Sequence, residues 1–225
     1  MHLEALPSTR REILVALKRR GPSTSAELAA ELGVTNEAVR QQLKRLESDG
    51  AIVLCERDRT GDNGGRPAHR YRLTTAGEHL FPKHYDDLTV ALLDTVGAQL
   101  GPEAVRAVLA GVVQAKVAAW RPRLEGLAPR EKLEALRALY AHDDPWVEIV
   151  DEPDGWTLIE RNCPFLRVAQ ERPALCSVTV QTLTRLMGRR VTRERSFQAG
   201  DGMCAFRIRS EPADLEAPFE LEAEP

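Results

Sequence analysis

The chain has 225 residues and a mass of 25.0 kDa, with 43% apolar and 29% charged side chains, enough to bury a core and too apolar to remain disordered throughout. Its net charge of −3 divides unevenly: residues 1–72 hold 13 Lys and Arg against 10 Asp and Glu, whereas the rest holds 18 against 24. A basic face serves nucleic acid whatever the total charge, while the start MHLEALPSTRRE lacks a secretory apolar run and Ala104–Trp120 is broken by Arg106, Gln114 and Lys116, so neither a secretion signal nor a membrane span is expected.

The first 72 residues read as three short helices and a hairpin. Thr9-x-x-Glu12 has the form of a capping box, with Ile13, Leu14 and Leu17 on one helical face and Gly21-Pro22 as the stop. Thr24-x-x-Glu27 opens a second helix that buries Leu28 and Leu32 and closes at Gly33. Thr35 or Asn36 caps a third, in which Val39, Leu43 and Leu46 recur at helical spacing before Asp49-Gly50. The run Ala51–Cys55, the turn-forming Thr60–Pro67 and the alternating 68–73 complete a hairpin. Three helices and a two-stranded wing make a winged helix-turn-helix.

In that fold the third helix enters the major groove. With Val39, Leu43 and Leu46 inward, Asn36, Glu37, Arg40, Gln41 and Lys44 face outward. Arg pairs with guanine, Asn or Gln with adenine, and Glu accepts from cytosine. The wing adds Arg57, Arg59 and Arg66 around a glycine-rich turn suited to phosphate. The same fold also serves as a protein-interaction module, but the ordered set of helices with a basic wing favours DNA.

Phe81 to Tyr140 is helical in pattern, with Pro102 and Pro129 each placed for a first turn. Beyond Pro145 come a hairpin of Trp146–Val150 and Trp156–Glu160, a short helix after Pro164, a helix over Ser177–Met187, and a second hairpin of Val191–Phe197 and Met203–Arg209. The organisation expected is therefore α+β: a winged helix over 1–82, a helical dimerisation linker over 83–142, an α+β sensor domain over 143–209, and a disordered acidic tail over 210–225. The tail has six acidic residues, no basic one and three prolines. In the linker, Leu92, Leu93, Val96 and Leu100 form an apolar stripe that suits a dimer interface or the core beneath it.

Three of the four cysteines, Cys163, Cys176 and Cys204, lie in the last third of the chain, spaced C-x12-C-x27-C. No tight C-x2-C pair marks a metal site, so spacing alone leaves buried structural thiols and ligands open. Cys163 precedes Pro164 at a strand-to-helix junction and Cys176 stands just ahead of the Ser177 helix; the positive end of a helix dipole favours the thiolate. Cys55, within an apolar strand, reads as a buried small hydrophobe. His142-Asp143-Asp144 reads as solvated loop, and His79 and His84, five apart, do not share a helical face. No triad-like pattern supports a hydrolase, so no enzyme is expected.

Taken together, Val34–Arg40, Gly65-Arg66-Pro67, Tyr71–Thr74, Ala76–Pro82, Asn162-Cys163-Pro164, Cys176 and Gly202-x-Cys204-x-Phe206-x-Ile208 make the chain resemble the winged-helix iron–sulfur repressors of the SufR type, which control cluster-assembly operons. The first four segments are shared by many regulators; the cysteine-bearing ones are the specific part. The resemblance implies a cluster on Cys163, Cys176 and Cys204, [4Fe–4S] with [2Fe–2S] or zinc as alternatives, in a cytoplasmic homodimer that binds an inverted repeat in double-stranded DNA. Some members carry a fourth cysteine in the C-terminal domain where this chain has none, leaving Glu, Asp, His, water or a small thiol for the remaining iron. A zinc- or thiol-responsive regulator, and one with an organic effector, are the alternatives.

Overall fold

The computed structural model describes residues 3–55 and 69–222. The chain divides into two compact units, Met1–Lys83 and His84–Pro225, each with its own hydrophobic core, in a mixed α+β architecture.

In the first unit, α1 (Ser8–Arg20), α2 (Ser25–Leu32) and α3 (Asn36–Ser48) enclose Ile13, Leu14, Leu17, Leu28, Val39, Leu43 and Leu46, all essentially inaccessible. The strands β2 (Ile52–Leu54) and β3 (Arg70–Leu73) pair antiparallel as expected, and β1 (Ser23–Thr24) adds a third, unanticipated strand in the order β1-β3-β2. The Thr24 box is present: Thr24 Oγ1 accepts from Glu27 N at 3.2 Å, and Glu27 Oε2 accepts from Thr24 N at 2.7 Å. The Thr9 box is not. The helix starts two residues earlier, with Pro7 at the N-cap position, and its N-terminus has no side-chain cap. A one-turn helix, α4 (Thr75–Glu78), lies so close to the 51–52 backbone that a Cβ on Gly77 would meet Ala51 O at 2.0 Å.

In the second unit, α5 (Tyr85–Leu100), α6 (Pro102–Trp120) and α7 (Pro129–Tyr140) precede β4 (Glu148–Glu152) and β5 (Gly155–Glu160); then come α8 (Leu166–Glu171), α9 (Ser177–Met187), β6 (Arg189–Arg195) and β7 (Cys204–Pro212). Pro102 and Pro129 occupy first turns, where the missing N–H costs nothing. The sheet is antiparallel throughout, in the order β4-β5-β7-β6. Helices α6, α7 and α9 place Leu109, Val113, Leu133 and Leu183 in one core with Leu158, Phe206 and Ile208 of the sheet.

Two expected boundaries shift. Helices 84–142 are not a separate linker, because α6 and α7 supply the apolar face the sheet needs. The acidic tail is not disordered over its described part: β7 runs on through Pro212, and Phe219 and Leu221 pack against the core. Glu222 N donates to Ser177 Oγ at 2.8 Å, and the Glu222 carboxylate pairs with Arg193 at 3.1 Å. Composition misleads there, since two apolar residues suffice to dock a short acidic segment beside an arginine.

Candidate functional site

The exposed face of α3 presents Glu37, Arg40, Gln41 and Lys44 to solvent, with Val39, Leu43 and Leu46 buried on the other side. The helix start is fixed by Thr35, whose Oγ1 accepts from Ala38 N at 3.2 Å. Asn36 departs from expectation. It is half buried in the first turn, and its Oδ1 has no hydrogen-bond partner, so it faces away from the outward row. Arg45 on α3 and Arg72 on β3 are exposed as well, extending the basic surface beyond the residues the helical pattern singled out. Arg57, Arg59 and Arg66 lie outside the described residues.

The second site is a small cavity in the C-terminal unit. Cys163, Cys176 and Cys204 all line it, together with Glu160, Phe165, Arg193 and Phe206. Three separate segments deliver the thiols: the loop between β5 and α8, the helical turn Pro173–Cys176 that leads into α9, and the first residue of β7. The Phe165 N–H favours the Cys163 anion, the Phe197 N–H that of Cys204, and Arg193 faces Cys176 across the cavity. Cys55 sits in the other unit, at the end of β2.

The loop carrying Cys163 is anchored by a residue that sequence reasoning passed over. Asp144 is 1% exposed. Its Oδ2 accepts from Arg161 N at 2.5 Å and Asn162 N at 2.9 Å, and its Oδ1 accepts from Trp146 N at 3.0 Å. Asn162 Nδ2 in turn donates to Asp143 O at 2.7 Å. His142 and Asp143 are exposed, as a solvated loop requires, but Asp144 departs from that expectation and clamps the cysteine loop from within.

Electrostatics in this cavity run against the simple dipole expectation. Burial pushes the Cys163 thiol up to about 11, assisted by Glu160 and the other two sulfurs and opposed by the Phe165 N–H. Burial raises Cys204 too. In an apolar cavity desolvation of the anion outweighs a short helix's dipole, and a bound cation reverses that balance. Glu160, 5% exposed, is pushed up to about 7 by burial, against the opposing pull of the Tyr140 hydroxyl and Lys116. Lys116 lies within a ring of aromatic faces, 4.6 Å from the Trp120 centroid and 5.9 Å from that of Phe165, and burial lowers its pKa.

Helix α8, which lies between Cys163 and Cys176 in the chain, is tied to α5 by two ion pairs: Arg167 with Asp87, and Arg172 Nε with Asp94 Oδ1 at 2.5 Å. On α5 only Val90 is buried, while Tyr85, Leu88, Leu92 and Leu100 are 57–72% exposed. Leu93, by contrast, turns toward the unit's own core, so the exposed stripe follows Leu88 and Leu92 rather than Leu93.

Among the described residues no three His, Cys, Asp or Glu side chains are grouped tightly enough to hold a single metal ion, and no helix is long and apolar enough to cross a membrane.

Residues 8–55 match the family model of a helix-turn-helix domain, in agreement with the N-terminal geometry. No curated protein matches the chain. Among solved structures, Rv1404 from Mycobacterium tuberculosis is 23% identical, with 62% of this chain and 73% of that one covered at a TM-score of 0.29. Transcriptional regulator Tm0710 from Thermotoga maritima is 24% identical, covering 50% and 75% at 0.28. The adhesin competence repressor of Streptococcus pyogenes is 21% identical, covering 55% and 85% at 0.28.

Proposed function

We propose that this chain is a cytoplasmic, homodimeric transcription repressor that reads an inverted-repeat operator and carries an iron–sulfur cluster, [4Fe–4S], on Cys163, Cys176 and Cys204. The observation that carries the cluster reading is the convergence of three thiols, from segments up to 41 residues apart in sequence, on one cavity. The donor set fits. In a [4Fe–4S] cluster each thiolate takes a different iron, so the ligands stand apart; one zinc ion would need them all within about 2.3 Å of one point. The enclosed space is only about 30 Å³, room for roughly one water, so loading requires the 161–165 loop and the half-exposed Phe165 to move outward. Lys116 and Arg193 offset the negative charge of the loaded site. When bound, the cluster supplies a group that oxidants attack and that iron scarcity removes.

DNA binding rests on the exposed row Glu37, Arg40, Gln41 and Lys44 of α3 within a matching helix-turn-helix domain. One such domain buries too little to reach specific affinity at physiological salt. The exposed stripe of α5 supplies the dimer face, and α5 follows directly on the N-terminal unit. Release of the cluster frees the ends of α8, and its ion pairs to Asp87 and Asp94 carry that change to the dimer helix. Coupling between two sites is usually about 1–3 kcal/mol, or roughly five- to a hundredfold in operator affinity; the resemblance gives tighter binding with the cluster present.

The deciding experiment is purification without oxygen, with visible spectrum, iron and sulfide assays, and sedimentation. A brown dimer that Leu92→Glu converts to monomer is expected. A colourless, zinc-containing protein means the thiol-regulator alternative, and a dimer without affinity for any duplex means a protein-interaction module. A second reading, an organic effector, is favoured by an apolar groove of about 480 Å³ lined by Leu93, Gly97, Val105, Leu109, Ala174 and Leu221, a volume typical of small-molecule sites. Iron-free protein that releases DNA on adding a small apolar compound would support it.

A further inference from the structure

We propose that Glu160, through its carboxylate Oε1, is the fourth protein ligand of the cluster. The inference rests on the cluster reading above and adds a residue that the cysteine pattern does not supply.

Glu160 is the last residue of β5 and stands directly opposite Cys204 on β7. Cross-strand partners project to the same face with Cβ atoms about 4.5–5.5 Å apart. Strand parity sends this face inward, for Leu158 and its partner Phe206, two residues back, lie in the core. Glu160 also stands three residues before Cys163 and lines the same cavity as all three thiols. The carboxylate is thus adjacent to two of the three cysteines by backbone topology alone.

Its hydrogen bonding is incomplete in a specific way. The side chain is 5% exposed, and Oε1 has no partner, while the neighbouring Tyr140 hydroxyl favours the charged carboxylate. Buried carboxylates are ordinarily paired throughout or bound to a metal, and a ligating carboxylate typically has its other oxygen held by an outer partner. Tyr140 has that outer position, and Lys116 provides the compensating charge.

The competing donors are placed elsewhere. Both oxygens of Asp144 accept backbone N–H groups; Glu222 Oε2 also has no hydrogen-bond partner, but it stands 3.1 Å from Arg193 Nη2 as an ion pair. Neither lines the cavity, nor does any histidine among the described residues. A carboxylate is a harder donor than thiolate, so the iron it holds is the one most readily exchanged, as suits a cluster that reports on iron or oxidants.

The test uses the full chain reconstituted without oxygen with iron and sulfide, comparing wild type, Glu160→Gln and Glu160→Cys. Readouts are iron and sulfide per chain, the visible spectrum, and the rate of iron loss to a chelator; circular dichroism of the apo forms verifies folding. The expected result is that Glu160→Gln loses iron at least roughly tenfold faster than wild type, a four-iron cluster giving up one iron first, and that Glu160→Cys restores retention. Wild-type retention in Glu160→Gln overturns the fourth ligand while leaving the three-thiol cluster standing. Loss in both variants assigns Glu160 a packing role and overturns the inference equally. A wild type that takes up neither iron nor sulfide is a different result: the cluster reading itself then fails.

Discussion

The two units of this chain place their polar chemistry in opposite ways. In Met1–Lys83 the candidate DNA-reading side chains are neighbours on one helix, turned to solvent, over a cluster of apolar side chains. In His84–Pro225 the candidate ligands are gathered from three segments and turned inward, where Glu160, Asp144, Lys116 and two of the thiols all bear the cost of burial or are held by backbone donors. A helix face can be changed one residue at a time with local effect. A buried cavity built from β5, β7 and the turn before α9 cannot, and that is the property a sensor needs: occupancy of the cavity is felt by every segment that lines it.

The largest effect expected follows from that difference. Cys163→Ser, Cys176→Ser and Cys204→Ser should each abolish iron retention outright, whereas Cys55→Ser, in the other unit, should leave it at wild-type level. Iron and sulfide assays on the four variants, with operator affinity measured alongside, check this. Retention in all four would dissolve the contrast and leave the C-terminal cavity a structural feature.

The second prediction uses pH to set the units against each other. Glu160 in the fold has its pKa raised to about 7 from an ordinary 4.5, so the native metal-free unit binds that proton more tightly than the unfolded chain does. Its contribution is present in full below pH 4.5, is lost as pH rises to 7, and then stays constant, a change of about 3 kcal/mol. Glu27 runs the other way: the Thr24 N–H, with Thr24 Oγ1 and Arg70, lowers its pKa, so its contribution exists above the unfolded value and is lost as pH falls. All three tryptophans, Trp120, Trp146 and Trp156, lie in the second unit, and their fluorescence follows its unfolding alone. Urea midpoints of the apo protein between pH 4.5 and 7.5 should fall with rising pH by this probe, and Glu160→Gln should flatten the dependence.

How much of this was legible in the sequence divides along the same line. Caps and helix-initiating prolines are local, and Thr24, Thr35, Pro102, Pro129 and the span Ser177–Met187 all stand where the pattern places them. Thr9 failed because Pro7 starts the helix two residues sooner, and Asn36 because the first residue after a cap turns partly inward. The cysteines were visible as residues but not as a constellation, since nothing in their spacing says that β5 and β7 are neighbours. Glu160 and Asp144 were missed for a related reason: a charge in a strand or loop reads as solvated until pairing shows which side it faces. The parity of Trp156, Leu158 and Glu160 was the available signal, and it becomes decisive only once Leu158 is known to oppose Phe206.

The third prediction concerns the exposed helix face, where effects should be moderate and separable. Arg40→Ala and Gln41→Ala should each cost about 1–3 kcal/mol on the operator and relax sequence preference, as for a lost bidentate base contact. Arg66→Ala should weaken all duplexes alike and reduce the salt slope by about one unit. Binding curves on operator and scrambled DNA at several salt concentrations distinguish the two. None of these variants should alter iron content, which tests the independence of the units.

The smallest expected effect is the purest local one. Thr24 and Glu27 satisfy two of the four donors that the start of α2 leaves unpaired. Removing the hydroxyl in Thr24→Ala leaves Glu27 N without its acceptor while Glu27 Oε2 still accepts from the residue-24 N–H. Typical loss of such a cap is about 1 kcal/mol. Hydrogen exchange should show the loss as faster opening of α2 and of the Leu28 and Val39 neighbourhood it packs against. Tryptophan fluorescence, reporting only on the second unit, should give an unchanged midpoint, and iron retention should match wild type. A shift of the tryptophan-reported transition by the same amount would mean that the two units unfold together, and the separation between a locally specified N-terminal unit and a topologically assembled C-terminal cavity would have to be given up.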